Sequence, residues 1–391
     1  MNLGMNNLDF DDSDPTSELE DDLFNEIEVS EETESNGLKS EINYPFDPRK
    51  IKISVETNTI FGLAQRMKNN EIDLYPDFQR KDNLWKNDRQ SRLIESLLLR
   101  FPLPAFYFDV EDNDKWLVVD GLQRLSTIKN FIVDNTLKLV DLEILKDHEG
   151  LKFKDFDNTL RRRILETNIT TFLIQPGTPK EVKYNVFKRI NTGGIGLTPM
   201  EIRHALNQKG EAGKFLKTMT KDDGSFFKAF FSQNRIEANR MEDRELLLRF
   251  VAFTLTPFNE YEPNLSNFLD FSMEKLDSLS EEECNLLANN LQKAMNTYIL
   301  IFDSRRFGRT LTNRCRLNSA LFEVWTSELG KLNDSERQIL ISKKTDFKSA
   351  YQQLLYDGNF NASFTRSTSN KSAVETRFSR IHNLIQTFLH D

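Results

Sequence analysis

The sequence predicts an α+β protein, an α/β region followed by an all-helical one, and three observations carry that expectation. Between residues 46 and 196 the apolar spacing switches repeatedly between a period of two and a period near 3.6, so strands and helices alternate. From Thr198 onward the spacing stays helical nearly to the end. Residues 1–45 show no periodic spacing at all and concentrate acidic charge. The expected organisation is therefore a disordered acidic leader over 1–45, an α/β domain over 46–196 and a helical domain over 197–391.

The elements follow in order. A transient helix is expected around Leu19–Ile27, and order begins near Ile51. Residues 51–55 alternate like a half-buried strand, and Thr57 or Asn58 is placed to cap a helix bearing Ile60, Leu63, Ala64 and Met67. A short strand at 72–74 enters the turn Tyr75-Pro76-Asp77-Phe78-Gln79-Arg80, and Asn87 caps the next helix. Strands at 105–110 and 115–119, joined by a polar turn, predict a hairpin that Gly121 ends. A helix with Leu125, Ile128, Phe131 and Ile132 inward, a strand near 137–142, a helix near 155–165 and a strand at 168–174 come next. Pro179 opens a helix through Lys188. Thr198-Pro199-Met200-Glu201 has the N-cap Thr, first-position Pro and third-position Glu of a capping box.

Composition narrows the function. Of 61 acidic and 52 basic residues, positions 1–43 hold 14 and one; the remainder carries 47 against 51, a mildly basic body behind a strongly acidic leader. Such segregation marks either a solvated interaction tail or a linker that keeps the chain soluble. The 31 phenylalanines predict aromatic-rich cores. No stretch approaches the ~20 apolar residues of a membrane span, and no signal-peptide pattern opens the chain. Two isolated cysteines, Cys284 and Cys315, make neither a zinc knuckle nor a disulfide framework, so a cytoplasmic location is expected. The four histidines lack metal-ligand spacing, and no Gly-x-Ser-x-Gly elbow appears.

Four constellations remain. In Asp120-Gly121-Leu122-Gln123-Arg124 a strand opens directly into a helix, whose first N–H groups and dipole favour an anion. Gly121 permits close approach, Arg124 can fork onto phosphate oxygens, Gln123 adds neutral hydrogen bonds, and Asp120 suits a metal or a ribose hydroxyl. A tight turn with Asp120 as helix cap and Arg124 solvated explains the same residues. The loop bearing Gln79 and Arg80 beside aromatics, and the run Arg189-Ile190-Asn191-Thr192-Gly193-Gly194, read equally as ligand-wrapping loops or plain connectors. Arg305, Arg306, Arg309, Arg314 and Arg316, five arginines in twelve residues, suit a phosphate backbone or a solvated face; Arg161–Arg163 is a second basic cluster.

Taken in order, the Gln79-Arg80 loop, the Asp-Gly-x-Gln-Arg turn and the Arg189–Gly194 run with its Leu197–Arg203 helix start resemble the N-terminal domain of the GmrSD-type restriction family, over roughly residues 55–255. That family resembles ParB and sulfiredoxin in fold and includes the SspE anti-phage proteins. The resemblance implies a ParB/sulfiredoxin-like domain that binds and hydrolyses a nucleoside triphosphate, with Mg2+. It implies catalytic roles for Asp120, Gln123 and Arg124, nucleotide contacts from Gln79, Arg80, Gly121, Arg124, Asn191, Thr192, Gly193 and Gly194, and Asp120 as metal ligand. Its relatives restrict foreign or modified DNA, so DNA and a partner nuclease subunit are the expected partners, with Arg305, Arg306, Arg309, Arg314 and Arg316 the expected DNA contacts. Leu122 stands where the family turn has its first Gln, which weakens the hydrolytic implication more than the binding one. No His-Asn-His nuclease motif is visible, so cutting falls to this fold or to a partner. The competing expectation is a non-catalytic DNA- or protein-binding regulator in which the same turn is a ligand sensor or only a turn.

Overall fold

Alternating hydrophobicity in five short segments produces one mixed sheet. The computed structural model describes residues 48–74, 85–112, 114–190, 198–207, 210–221, 226–234, 236, 240–303, 307–308 and 317–390; the expected leader helix at 19–27 lies outside them. The strands are β1 (Ile53–Thr59), β2 (Ile72–Asp73), β3 (Phe106–Asp109), β4 (Trp116–Asp120) and β5 (Asn168–Ile174), ordered β1-β5-β3-β4-β2. β3 and β4 form the expected antiparallel hairpin, β5 runs parallel to β3, and β2 runs parallel to β4. β1 pairs with β5 through to Thr59 opposite Asn168, so the strand runs past the expected caps. Thr59, rather than Thr57 or Asn58, caps the first helix, accepting from Gly62 N at 3.1 Å.

Five helices lie along the sheet region: α1 (Ile60–Lys68), α2 (Asn87–Leu98), α3 (Leu122–Ile128), α4 (Asn158–Leu165) and α5 (Lys180–Ile190). Asn87 is the first residue of α2 rather than its cap, which falls on Lys86 without a side-chain bond. Period two splits the sheet into two faces. Phe106, Phe108, Trp116, Val118, Ile169 and Leu173 pack with apolar residues of α1, α2 and α3. Val119 and Ile174 join Phe187 of α5 and Met200 in the helical core. Lys183 of α5 locks this second face, its Nζ 2.8 Å from both Asp109 carboxylate oxygens and from Glu111 Oε2.

The expected strand at 137–142 does not form. Leu137, Leu139 and Leu142 are buried as the alternation predicts, but nearby carbonyls and side chains take the N–H groups a ladder would use, Leu137 N donating to Asn130 O at 3.2 Å and Leu139 N to Leu151 O at 3.0 Å. Ser91 Oγ accepts from Val140 N at 3.0 Å, and Glu149 Oε1 from Leu142 N at 3.1 Å. The Glu95 carboxylate takes the amides of Glu143, Ile144 and Leu145 at 3.0, 2.7 and 2.7 Å. Burial raises the Glu95 pKa, and these three amides with Lys146 more than reverse it, leaving the group below the ordinary carboxylate range. A depressed pKa contributes stability that is present above the unfolded value of about 4.3 and lost as pH falls through the folded one. Glu95→Gln should lower stability at pH 7 by about 1–2 kcal/mol and flatten its decline below pH 4. Urea melts at a series of pH values check this; a parallel decline in both proteins would refute it.

Eleven further α-helices follow among the described residues: α6 (Pro199–Leu206), α7 (Glu211–Lys221), α8 (Phe226–Gln233), α9 (Glu242–Leu255), α10 (Leu265–Asp277), α11 (Glu281–Phe302), α12 (Ser319–Gly330), α13 (Asp334–Ser342), α14 (Lys344–Leu355), α15 (Gly358–Thr365) and α16 (Lys371–His390). α6 starts at the capping box the sequence announced, with Glu201 N on Thr198 Oγ1 at 3.1 Å and Thr198 N on Glu201 Oε2 at 2.6 Å. The helical core is aromatic, with Tyr298 stacked on Phe307 at 3.9 Å and edges of Phe302 and Tyr351 against Trp325. Within it lies a buried ion network: Glu323 of α12, fully buried, accepts from Arg249 of α9 at 3.3 Å and from Arg377 of α16. Among the described residues no helix is long and apolar enough to cross a membrane. The chain is α+β, with the sheet in the N-terminal region and helices beyond it.

Candidate functional site

The turn at 120–124 is shaped by a register slip. Phe108 stands opposite Val118, but Tyr107 stands opposite Asp120, so Val119 is an extra residue in β4. Such a bulge bends the strand and re-aims the residues that follow. Gly121 then takes φ +100°, a left-handed conformation, and serves as N-cap of α3 without a side-chain bond. A Cβ on Gly121 would lie 2.4 Å from Phe106 Cδ1, so the fully buried Phe106 ring excludes every other residue here. Gly121→Ala should cost about 2 kcal/mol, from positive-φ strain and overpacking combined. Thermal melts measure this, and an unchanged melting point would show that the turn can relax.

The two polar ends of the turn meet each other. Asp120 does not cap the helix; its Oδ2 accepts from Arg124 Nη2 at 2.8 Å. Arg124 Nη2 also donates to Ala105 O at 3.2 Å, Arg124 Nη1 donates to Pro104 O, and the guanidinium lies 4.4 Å from the Phe106 ring centre. Arg124 is 9% exposed, so it is neither the solvated side chain of the plain-turn reading nor an open fork. Burial pulls its pKa below the ordinary arginine value, and the Asp120 carboxylate works against that pull. The Asp120 side chain keeps about a third of its surface (35%) in contact with solvent.

Gln123 faces the other way, its Oε1 accepting from Trp85 N at 2.9 Å. Arg89, in the first turn of α2, lays its guanidinium 4.6 Å from the Trp85 ring centre. A cation stacked on an aromatic ring therefore stands beside the turn. The signal was available in the i, i+4 spacing of Trp85 and Arg89, which the sequence reading passed over. Beyond α3 the helix widens into a π turn over Lys129–Val133, a form that recurs near functional sites.

Asp120, Gly121, Gln123 and Arg124 thus share one turn. Gln79 and Arg80, Asn191, Thr192, Gly193 and Gly194, and Arg305, Arg306, Arg309, Arg314 and Arg316 all lie outside the described residues. The flanks of the first loop are placed: Leu74 follows β2, the neighbour of β4, and Trp85 is bonded to Gln123. In the second basic cluster, Arg161 is tied to Phe156 O and Lys154 O, and Arg163 to Leu98 O, so those two serve their own surroundings. No group of three His, Cys, Asp or Glu side chains among the described residues is placed to hold a metal ion.

Residues 60–208 match the family described as the GmrSD restriction endonuclease, N-terminal domain. That segment, less than half of the chain, is similar to the GmrSD N-terminal domain. The matched segment contains β2 to β5, the turn at 120–124 and the capping box at Thr198. No curated protein and no solved structure matches the chain.

Proposed function

We propose that this chain is a nucleotide-binding component of a DNA restriction system, with the phosphates of a nucleoside triphosphate seated at the N-terminus of α3. The observation that supports it most is the bulge-and-glycine junction: it turns the first amides of α3 out of the end of β4, where helix dipole and N–H groups together favour an anion. The donor set fits the group. The amides after Gly121 would hold phosphate oxygens, and the partly exposed Asp120 carboxylate, whose Oδ2 is paired with Arg124, would offer an oxygen to a magnesium ion bound with them. When bound, that ion neutralises charge on the phosphates. Arg124 is a positioning residue that fixes Asp120 and the start of β3, and Gln123 positions Trp85. Arg89, stacked on Trp85, is a further cation beside the turn. The family name brings DNA restriction to this chain, acting on DNA itself or through a partner nuclease.

A second reading has its own observation. The Arg124 guanidinium is committed inward and Leu122 offers no side-chain amide, which favours a DNA- or protein-binding regulator that senses a nucleotide or keeps the turn as scaffold only. Titration of each of the four triphosphates, with and without magnesium and duplex DNA, separates the readings. Trp85 reports occupancy, because Trp116 and Trp325 are buried in the cores. We expect saturable binding of at least one triphosphate that weakens in Asp120→Asn only when magnesium is present. Binding of none refutes the nucleotide reading; binding without turnover, with DNA present, selects the sensor.

A further inference from the structure

The connection between α15 and α16 opens an unusual groove of about 670 Å³. Its lining includes Ser363, Arg366, Asn370, Thr376, Arg380 and Asn383, with Glu375 its one acidic residue and Ala362 and Ala373 its only apolar ones. Along α16 the lining residues Ser372, Thr376, Ser379 and Asn383 recur at helical spacing and so share one face. Ser, Thr and Asn are poor helix formers, so helix stability does not account for choosing them on an exposed face. Hydroxyls, amides and arginine are instead the side chains that contact phosphate and sugar in protein–DNA interfaces. The stretch from residue 372 to 383 spans roughly 16 Å, the axial length of about five base pairs.

A second observation points the same way. Asn318 ties two places together: its N–H donates to Phe307 O at 2.9 Å, and its Nδ2 donates to Phe364 O at 2.9 Å, between the lining residues Ser363 and Arg366. The sequence between those anchors holds Arg309, Arg314 and Arg316. Phe307 and Asn318, described residues that flank this stretch in sequence, are joined to each other, and Asn318 reaches the α15 carbonyl of Phe364 beside Ser363. A protein partner would want apolar anchors there, and the groove has almost none.

We propose that the α15–α16 groove seats the sugar-phosphate backbone of double-stranded DNA, with Arg366 and Arg380 as the phosphate contacts. This rests on the DNA side of the function proposed above and gives it a place. Both arginines are exposed, and Arg380 has only a 3.7 Å pair with Asp357, so replacing them leaves the core intact.

The test is anisotropy of a labelled duplex of about 20 base pairs and arbitrary sequence, titrated with the full chain at several salt concentrations. Arg366→Gln with Arg380→Gln should weaken binding by roughly ten- to a hundredfold and reduce the slope of log K against log salt by about 2. Ser372→Asp with Thr376→Asp, which adds charge without removing arginine, should weaken it as well. Melting temperature and triphosphate binding should stay at wild-type values in both. Variants that bind the duplex like wild type, with the same salt slope, overturn the groove alone. Wild-type chain that binds no duplex at any salt overturns the groove together with the DNA side of the proposed function.

Discussion

Arg124→Ala should destabilise the protein by roughly 3 kcal/mol, a larger effect than its place in the first turn of a short helix suggests. The side chain supplies the donors for Pro104 O and Ala105 O at the start of β3 and the cation for Asp120. Pro104 is exposed and Ala105 half-buried, so each of these hydrogen bonds from a charged donor is worth about 1 kcal/mol, and the contact with the Phe106 ring adds about 1 more. The cost is offset in part because Asp120 can turn to water. Arg124→Lys distinguishes positioning from direct phosphate binding. Lysine is a competent phosphate ligand but a point charge, and one ammonium cannot span two carbonyls and a carboxylate. If Arg124 positions, the lysine variant loses stability and triphosphate affinity together. If Arg124 grips phosphate, affinity survives in the lysine variant while stability falls. Chemical denaturation and triphosphate titration of both variants measure the two quantities separately.

What the sequence made legible is what local chemistry decides. The bounds of β5, the hairpin of β3 and β4, and the capping box of α6 depend on residues within a few positions of each other, and all three appear as the spacing foretold. The failures share one cause. Leu137, Leu139 and Leu142 alternate as a strand does, yet Ser91, forty-nine residues earlier, takes the Val140 amide and the carbonyls of Asn130 and Leu151 take those of Leu137 and Leu139. Thr57 and Asn58 are sound caps, but β5 keeps them paired as strand and passes the role to Thr59. At the site, Asp120, Gly121, Gln123 and Arg124 were found together because they are adjacent in sequence. The direction of Arg124 was not, because it depends on carbonyls nineteen and twenty residues away and on a bulge in β4 that no spacing reveals. A local motif can name the residues of such a turn. Only the partners across the sheet decide whether a cation in it faces ligand or fold.

The same dependence on distant partners gives the largest expected effect in the helical region. Glu323 has no solvent contact and answers two arginines, Arg249 and Arg377, that lie 74 and 54 residues from it in sequence. Glu323→Ala leaves both guanidinium groups buried beside an empty volume. Arg249 keeps its ion pair with Glu245 at 2.8 Å, whereas Arg377 keeps only carbonyl acceptors, that of Thr368 at 2.7 Å among them, and loses its carboxylate. Removing one partner of a buried ion pair costs about 3–5 kcal/mol, so the variant should lose most of a typical domain's margin. Glu323→Gln keeps the shape and one acceptor and should cost less, about 2 kcal/mol. Replacing the set by apolar residues, Glu323→Leu with Arg249→Met and Arg377→Met, should recover much of the loss, since the desolvation of three charges disappears with them. Denaturant melts of the four proteins rank these outcomes. A triple variant less stable than Glu323→Ala would mean that the network contributes net stability rather than only a penalty when broken, because α9, α12 and α16 would then depend on its hydrogen bonds and not merely on the absence of unpaired charge.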